Sequence, residues 1–404
     1  MMQRRFVFAA SLGCALLVAA CENEVLNSPR VPAYQGGTMF QRYVAMGNSI
    51  TAGFQSGGIN DSTQRQSYAV LIGGAMGGNR FYYPSLASIG CPPPFTNIFT
   101  GARVGGAGIT GTTCLFRSPN IPPYLSNVAV PGAETIDMLL NGPAPGTNSN
   151  PLTQLFLGGR TQVQAMMDAT PTFVSVWAGN NDLLGAALAG DTTLATDTAA
   201  FRISYSQALD SIEATGAQAI LIAVGLGHSV NNVVLPFFSR GTTWFGLAAS
   251  GAFNPAPFTV AANCAPPRGD TVLVSFAYGF GLLATAQGGT PTTLDCTAPP
   301  VIEPAETRFF AVLQLRYNAI IQAQATARGF AYTDSVNFTL DSLAGIANQF
   351  APFPNTAAAC SGSPFGLAFS CDGIHPNQAT QLKIARKIIR AINAQYNSAI
   401  PAIP

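Results

Sequence analysis

The stretch Tyr43-Val44-Ala45-Met46-Gly47-Asn48-Ser49 joins a short apolar run to a small polar sequence. Its first five residues have the length and apolar content of a buried strand, and glycine ends the run. Four later runs share this length and are also closed by Gly, Pro or polar residues: 127–131, 173–179, 219–225 and 330–333. The five runs predict five strands.

Amphipathic helical patterns separate several of these runs. They cover residues 161–169, 199–215 and 307–328, and a fourth, Gln378–Tyr396, follows the last run. Gly216 stands where a helix-ending glycine is expected for the second pattern. Alternation of strands and helices predicts an α/β fold, a three-layer α/β/α arrangement with a five-stranded parallel sheet.

Short polar sequences follow three of the predicted strands and precede the last helix. They are Gly47-Asn48-Ser49, Pro131-Gly132-Ala133, Gly179-Asn180-Asn181-Asp182 and Asp372-Gly373-Ile374-His375-Pro376. Each one alone has the composition of an ordinary turn. Ligands of open parallel sheets bind at the carboxyl ends of the strands, so the four together predict a site at that edge.

The side chains in these sequences suit nucleophilic catalysis. A serine hydroxyl is a poor nucleophile at neutral pH and needs an adjacent base. The chain has only two histidines, and His375 lies three residues after Asp372, which can hold the imidazole in one tautomer. We therefore expect Ser49 as nucleophile and His375 with Asp372 as its base. His228 has no carboxylate nearby in sequence and is interpreted as a structural or substrate-loop residue.

The four sequences resemble the conserved blocks of the SGNH/GDSL hydrolases, in the family's order and over most of residues 43–396. The resemblance implies a flavodoxin-like sheet and a serine hydrolase that acts on carboxylic esters. It also implies an oxyanion hole made by the backbone N–H groups of Ser49 and Gly132 and the side-chain amide of Asn181. One departure is Asn48, where the family usually has Asp, which removes a charge beside the nucleophile.

The first residues have the pattern of an export signal. Arg4 and Arg5 precede an apolar run that is short for a membrane span, and small residues lead to Cys21. Residues 1–20 are predicted as a signal peptide and Cys21 as the lipidated first residue of a tether over 21–38. The alternative is an ordinary signal peptide that happens to contain a cysteine. The lipoprotein interpretation predicts a cell-envelope protein anchored to a bacterial membrane, on its periplasmic or surface face.

Six cysteines remain in the predicted hydrolase domain, 39–404. An even number in an oxidising compartment predicts up to three disulfides. Proximity in sequence favours Cys91 with Cys114, Cys264 with Cys296 and Cys360 with Cys371, although other pairings stay open. Each favoured pair lies in one long connection, at about 54–126, 226–306 and 335–371, so we expect disulfide-stapled loop insertions. The sequence contains no CxxC motif that would favour zinc, and we expect no metal or cofactor.

Composition limits the partners. Charged residues make up 9% of the chain and the net charge is +1, so no basic stripe could neutralise phosphates and nucleic acid is not an expected partner. The expected substrate is an ester, either an acyl lipid for an esterase or lipase or an acylated glycan for a carbohydrate O-deacetylase. The rival hypothesis is a non-catalytic surface lipoprotein that uses the same fold for binding.

The second long connection is rich in aromatic residues. Two interpretations are open, because these side chains either form a wall of the substrate site or make a small core of their own. The residues are Phe237, Phe238, Trp244, Phe245, Phe253, Phe258, Phe276, Tyr278 and Phe280.

Overall fold

The computed structural model describes residues 37–77, 80–86, 89–114, 122–140, 150–225, 237–254, 257–334, 346–351 and 353–404. The predicted signal peptide, Cys21 and His228 lie outside these ranges. Within them, no helix combines the length and the apolar content that a bilayer crossing requires.

The described strands are β1 (Tyr43–Gly47), β2 (Phe95–Asn97), β3 (Ala102–Arg103), β4 (Phe173–Trp177), β5 (Gln218–Ile222), β6 (Phe238–Arg240), β7 (Phe258–Val260), β8 (Leu273–Ser275), β9 (Thr292–Leu294), β10 (Val301–Ile302) and β11 (Ala331–Thr333). The described α-helices are α1 (Ser49–Ala52), α2 (Asp61–Arg65), α3 (Tyr68–Ala75), α4 (Pro151–Leu157), α5 (Gln162–Asp168), α6 (Asn181–Ala189), α7 (Thr198–Ala214), α8 (Gly241–Ala249), α9 (Phe276–Gln287), α10 (Pro304–Arg328) and α11 (Gln378–Tyr396).

The central sheet has four parallel strands within the described ranges, in the order β1-β4-β5-β11. Tyr43 of β1 pairs with Phe173 of β4, which in turn pairs with Gln218 of β5. β11 lies on the other side of β5, with Ala331 opposite Ile220. Because all three pairings are parallel, the carboxyl ends of these strands lie at one edge of the sheet.

Helices cover both faces of this sheet. Along β1, Val44 and Met46 belong to one apolar core and Tyr43 and Ala45 to another, as the two-residue period of a strand requires. Side chains of α5, α7 and α10 complete the first core, and side chains of α3 and α11 complete the second. The α/β class and the three layers follow from this arrangement.

The prediction of five strands was wrong at residues 127–131. This segment runs parallel to β1 and makes one bridge, between Asn127 and Ala45. Val130 donates its N–H to the Gly47 carbonyl, but the Gly47 N–H that would complete a second bridge donates to Oε1 of Gln162 at 2.9 Å. A hydrogen bond to a side chain thus replaces a backbone hydrogen bond between the two segments. Residues 127–131 therefore lie beside β1 without forming a strand.

The predicted helices are present with small shifts of their ends. α5 begins after Thr161, whose side chain and that of Gln164 form a reciprocal capping box. α7 ends at its C-cap Thr215, and Gly216 follows with a positive φ of 75°. α10 starts three residues earlier than the pattern indicated, because Pro304 occupies its first turn, where proline is tolerated.

The second long connection contains regular structure of its own. β6, β8 and β10 form an antiparallel sheet in the order β10-β8-β6, and β7 pairs with β9. α8 and α9 pack with them, and the apolar core of this region is continuous with the core of the central sheet. This segment is therefore better described as a small subdomain than as a loop.

The cysteines pair as sequence proximity favoured. Cys91 is bonded to Cys114, Cys264 to Cys296, and Cys360 to Cys371. Each disulfide lies within one long connection.

Candidate active site

Ser49 lies at the carboxyl end of β1, as the first residue of the short helix α1. Asn48 caps this helix, since its Oδ1 accepts the N–H of Ile50 at 3.1 Å. The N–H of Ser49 has no hydrogen-bond partner among the described residues, as is usual in the first turn of a helix. A backbone donor beside the serine hydroxyl is thus free to bind a substrate oxygen.

Gly47 makes the tight turn into this helix. Its φ is 151°, and a Cβ at this position would lie 2.4 Å from the carbonyl oxygen of Trp177. The buried side chain of Gln162 holds the same residue, accepting from the Gly47 N–H and donating Nε2 to the Gly47 carbonyl, each at 2.9 Å. The sequence pattern gave no sign of this contact, because Gln162 is 115 residues away along the chain.

His375 lies between Ser49 and Asp372 in a hydrogen-bonded relay. Its Nε2 is 2.9 Å from the Ser49 Oγ, and its Nδ1 is 2.8 Å from the Asp372 Oδ2. Ser49 and His375 are each only 9% exposed, and the Phe54 ring packs against the imidazole with 5.0 Å between ring centroids. The three predicted residues are therefore brought together with the spacing that proton transfer requires.

Asp372 accepts several hydrogen bonds besides the one from His375. The backbone N–H of Gly57 donates to Oδ2 at 2.7 Å, and the backbone N–H groups of Ile374 and His375 donate to Oδ1 at 2.9 Å. Burial opposes the charged form, but the adjacent imidazole and these N–H groups outweigh it and lower the pKa of Asp372 to about 2. The carboxylate is therefore ionised and fixed in orientation.

A seam of hydrogen bonds joins the Asp372 loop to the turn that follows α1. The Ser370 hydroxyl donates to Asp372 Oδ1 at 3.0 Å and accepts the N–H of Ser56 at 2.8 Å. The N–H of Cys371 donates to the Ser56 hydroxyl at 3.1 Å. Sequence analysis missed Ser56 and Ser370, because the two serines are 314 residues apart and neither belongs to a recognisable motif.

The turn is held from its other side by Arg103. Its guanidinium donates to the Gly57 carbonyl at 3.1 Å and stacks on the Phe95 ring, 3.6 Å from the ring centroid. Arg103 thereby fixes the peptide unit next to the one that donates to Asp372.

The predicted oxyanion donors lie on neighbouring segments at the same edge of the sheet. Gly132 follows the segment that runs beside β1, has a φ of 81°, and its N–H has no partner among the described residues. Asn181 begins α6 at the end of β4, and its Nδ2 donates to the Ala133 carbonyl at 2.8 Å. An amide nitrogen carries two hydrogens, so one remains for a ligand.

Asp182 ties these two segments together. This buried carboxylate accepts the Thr135 N–H at 3.0 Å and the Thr135 hydroxyl at 2.6 Å. Burial raises the pKa of Asp182, although the bonds from Thr135 oppose the shift. Asp182 ends the polar sequence Gly179-Asn180-Asn181-Asp182, but its role in holding the loop after Gly132 appears only in the structure.

Asn48 uses both ends of its amide. Oδ1 caps α1, while Nδ2 lies 3.4 Å from the Asn180 Oδ1. The Asn180 amide nitrogen in turn donates to the Gly225 carbonyl at 3.1 Å. An aspartate at position 48 would keep the cap but place two acceptor oxygens against each other, so the amide suits this neighbour.

A large cavity of about 860 Å³ lies next to the Asp372 loop. Its lining includes Asp372 and Ile374 from that loop and Leu188 from α6. Of the aromatic residues of the second long connection, Phe237, Phe253, Phe276 and Phe280 also line it. These four side chains therefore face an open space next to the candidate site.

Trp244 has a packing role, in a core that is continuous with the core of the central sheet and not separate from it. It is fully buried and packs against the rings of Phe253, Phe258, Phe276 and Phe280, with centroid distances of 5.3 to 6.4 Å. It does not line the cavity. The aromatic residues thus divide into a cavity wall and a packed core behind that wall.

Comparison with known proteins gives structural similarity at low sequence identity. No protein family profile and no curated protein sequence matches the chain. The fold is similar to LAE5, an α/β hydrolase enzyme from the metagenome of Lake Arreo, Spain, with 12% identity over 89% of this chain and 98% of that one, at a TM-score of 0.40. A mutant of the acetyl-xylooligosaccharide esterase Axe2 of Geobacillus stearothermophilus is 11% identical over 87% of this chain and 93% of its own, with a TM-score of 0.38. Phospholipase A1 of Streptomyces albidoflavus NA297 is 14% identical over 87% of this chain and 98% of its own, with a TM-score of 0.36.

Proposed function

We propose that the chain is a serine hydrolase of the SGNH/GDSL type that cleaves carboxylic esters. The observation that carries the proposal is the relay from Ser49 through His375 to Asp372, with donor–acceptor distances of 2.9 and 2.8 Å. A buried serine beside an imidazole that is itself oriented by an ionised carboxylate is the arrangement needed to activate a hydroxyl.

The reaction would follow acyl-transfer chemistry. His375 Nε2 takes the hydroxyl proton as the Ser49 oxygen attacks the ester carbonyl, and Asp372 stabilises the imidazolium that results. The imidazolium then gives this proton to the departing alcohol, which leaves an acyl group on Ser49. A water molecule, deprotonated by the same imidazole, attacks the acyl carbon, and the carboxylic acid is released as Ser49 regains its proton.

The negative charge on the carbonyl oxygen needs donors in place before it forms. The N–H groups of Ser49 and Gly132 and the Asn181 amide are proposed for this role, because each has a hydrogen free of partners among the described residues. Loss of one such donor typically costs about 3–4 kcal/mol of transition-state stabilisation. Asp182 and Gln162 would act through these residues, by holding the loop and the turn that carry them.

Labelling with a fluorophosphonate probe tests the proposal, since only an activated serine reacts. The wild-type chain should be labelled and should hydrolyse p-nitrophenyl esters, while Ser49→Ala should be unlabelled and His375→Ala nearly inactive. His228→Ala is the matched histidine control and should keep its activity. If the wild-type chain were neither labelled nor active on any ester, the non-catalytic lipoprotein would be the better hypothesis.

We also propose export and lipidation at Cys21, which the sequence pattern before this residue supports. Metabolic labelling with a clickable palmitate should mark the wild-type chain in the membrane fraction and not Cys21→Ser. A labelled Cys21→Ser variant would contradict the lipid anchor without affecting the proposed chemistry.

A further inference from the structure

The cavity next to the Asp372 loop is built by all three long connections. The first contributes Phe99, the second Phe276 and Phe280, and the third Phe353 and Phe365. Each connection contains one of the three disulfides. Three separate parts of the chain, each closed by a disulfide, thus line one space.

We propose that this cavity binds the apolar chain of a long-chain ester, either its acyl or its alkyl portion. The inference rests on the proposed function, because it assigns the substrate class of the same site. A volume of about 860 Å³ falls within the range of about 300–1,000 Å³ usual for small-molecule sites and far exceeds what an acetyl group needs.

The lining is mostly aromatic and aliphatic, and its rings are held against one another. Phe280 contacts Phe99 and Phe353 at centroid distances of 5.5 and 5.7 Å, and Phe276 contacts Phe365 at 5.6 Å. The apolar part of this wall gains free energy by removing an alkyl chain from water. Polar residues also line the cavity, namely Thr100, Asn254, Gln287, Asn355, Thr356 and Asp372.

One face of α9 keeps the space open. Ala277, Phe280, Ala284 and Gln287 line the cavity at helical spacing, so two alanines alternate with larger side chains along the wall. Both alanines are exposed. Larger side chains at these two positions would fill part of the cavity.

Two lining residues belong to the elements that carry the proposed chemistry. Ile374 immediately precedes the base His375, and Leu188 is two turns along the helix that begins at Asn181. Ser49 and His375 do not themselves line the cavity, so a chain bound in it would lie next to the Asp372 loop.

Two substrate series test the inference. One varies the acyl group of p-nitrophenyl esters from acetate through butyrate and octanoate to laurate, and the other varies the alcohol of alkyl acetates from ethyl to octyl. The wild-type chain should prefer the longer members of at least one series. Ala284→Phe and, separately, Ala277→Phe fill the cavity, and should lower the ratio of long-chain to short-chain kcat/KM in that series by about 10- to 100-fold.

Thr285→Phe is the matched control, because Thr285 is exposed on the same helix and does not line the cavity. Its chain-length ratio should equal that of the wild type, and melting temperatures identify any variant that fails to fold. A wild-type preference for the shortest esters in both series would overturn the inference. Unchanged chain-length ratios in folded cavity variants would also overturn it. In either case probe labelling of Ser49 would show that the proposed hydrolase function still stands.

Discussion

Asp372 is the residue at which most of the local contacts of the site meet. It accepts N–H groups from its own loop and from Gly57, a hydroxyl from Ser370 and the imidazole of His375. Since each bond favours the charged form, the carboxylate stays ionised in spite of its burial, and its pKa is about 2. The same contacts that orient His375 therefore also contribute to folding stability.

The pH dependence of stability should report this carboxylate. An aspartate in an unfolded chain has a pKa of about 3.9, so the lower value in the folded state stabilises the protein above about pH 4. This contribution of about 2–3 kcal/mol is lost as the pH falls through about 2. Urea denaturation, measured at intervals of about one pH unit, should therefore show that the difference in free energy of unfolding between wild type and Asp372→Asn shrinks from pH 5 to 2. A difference independent of pH would contradict the lowered pKa.

Asn181 should affect the transition state more than substrate binding. Asn181→Ala removes the amide donor, and kcat should fall by about 10²–10³-fold with a much smaller change in KM. Asn181→Asp provides the control for shape, because it keeps the side-chain volume but has no N–H, and it should be similarly impaired. An effect confined to KM in steady-state kinetics on a short ester would instead make the residue a ground-state contact.

Among the secondary structure elements, α9 combines two roles on its different faces. One face lines the cavity, and the other packs on Trp244 through Gly279, where a Cβ would lie 2.4 Å from the indole ring. Glycine is required at this position by close approach and not by its backbone angles. The same helix carries Gly281, where a Cβ would have no neighbouring atom within 4 Å.

These two glycines form a matched pair for measuring that contact. Gly279→Ala should lower the melting temperature, because overpacking a core typically costs about 1–3 kcal/mol. Gly281→Ala should leave it unchanged or raise it, since alanine favours a helix over glycine by about 0.5–1 kcal/mol. Equal effects of the two substitutions in thermal denaturation would show that Trp244 does not fix the position of α9.

At the scale of the whole molecule, the disulfides differ in how near they lie to the relay of Ser49, His375 and Asp372. Cys371 precedes Asp372 directly, and its N–H belongs to the seam with Ser56. Cys264 and Cys296 lie in the subdomain of the second connection, and their described hydrogen bonds involve no residue of the relay. Loss of the Cys360–Cys371 disulfide should therefore affect catalysis more than loss of the Cys264–Cys296 disulfide.

Paired serine substitutions separate the two effects. Cys360→Ser with Cys371→Ser and Cys264→Ser with Cys296→Ser should each cost about 2–4 kcal/mol of folding stability. Only the first pair should lower kcat on p-nitrophenyl acetate appreciably, by about tenfold or more, because the Asp372 loop loses a constraint next to the base. The comparison requires kcat measured well below both melting temperatures. An equal loss of kcat in both variants would assign the effect to general destabilisation.

The sequence by itself determined the α/β class, the positions of the long helices, the favoured disulfide pairs and the residues of the relay. These features depend on local signals: apolar periodicity, capping residues such as Gly216, and short motifs such as the one from Asp372 to His375. Only the tertiary structure decided the number of strands, because the hydrogen bond of Gln162 to Gly47 links residues far apart in the chain. The same reason applies to the seam between Ser56 and Ser370 and to the cavity. Both are formed by residues that are far apart in the sequence and come together only in the folded chain.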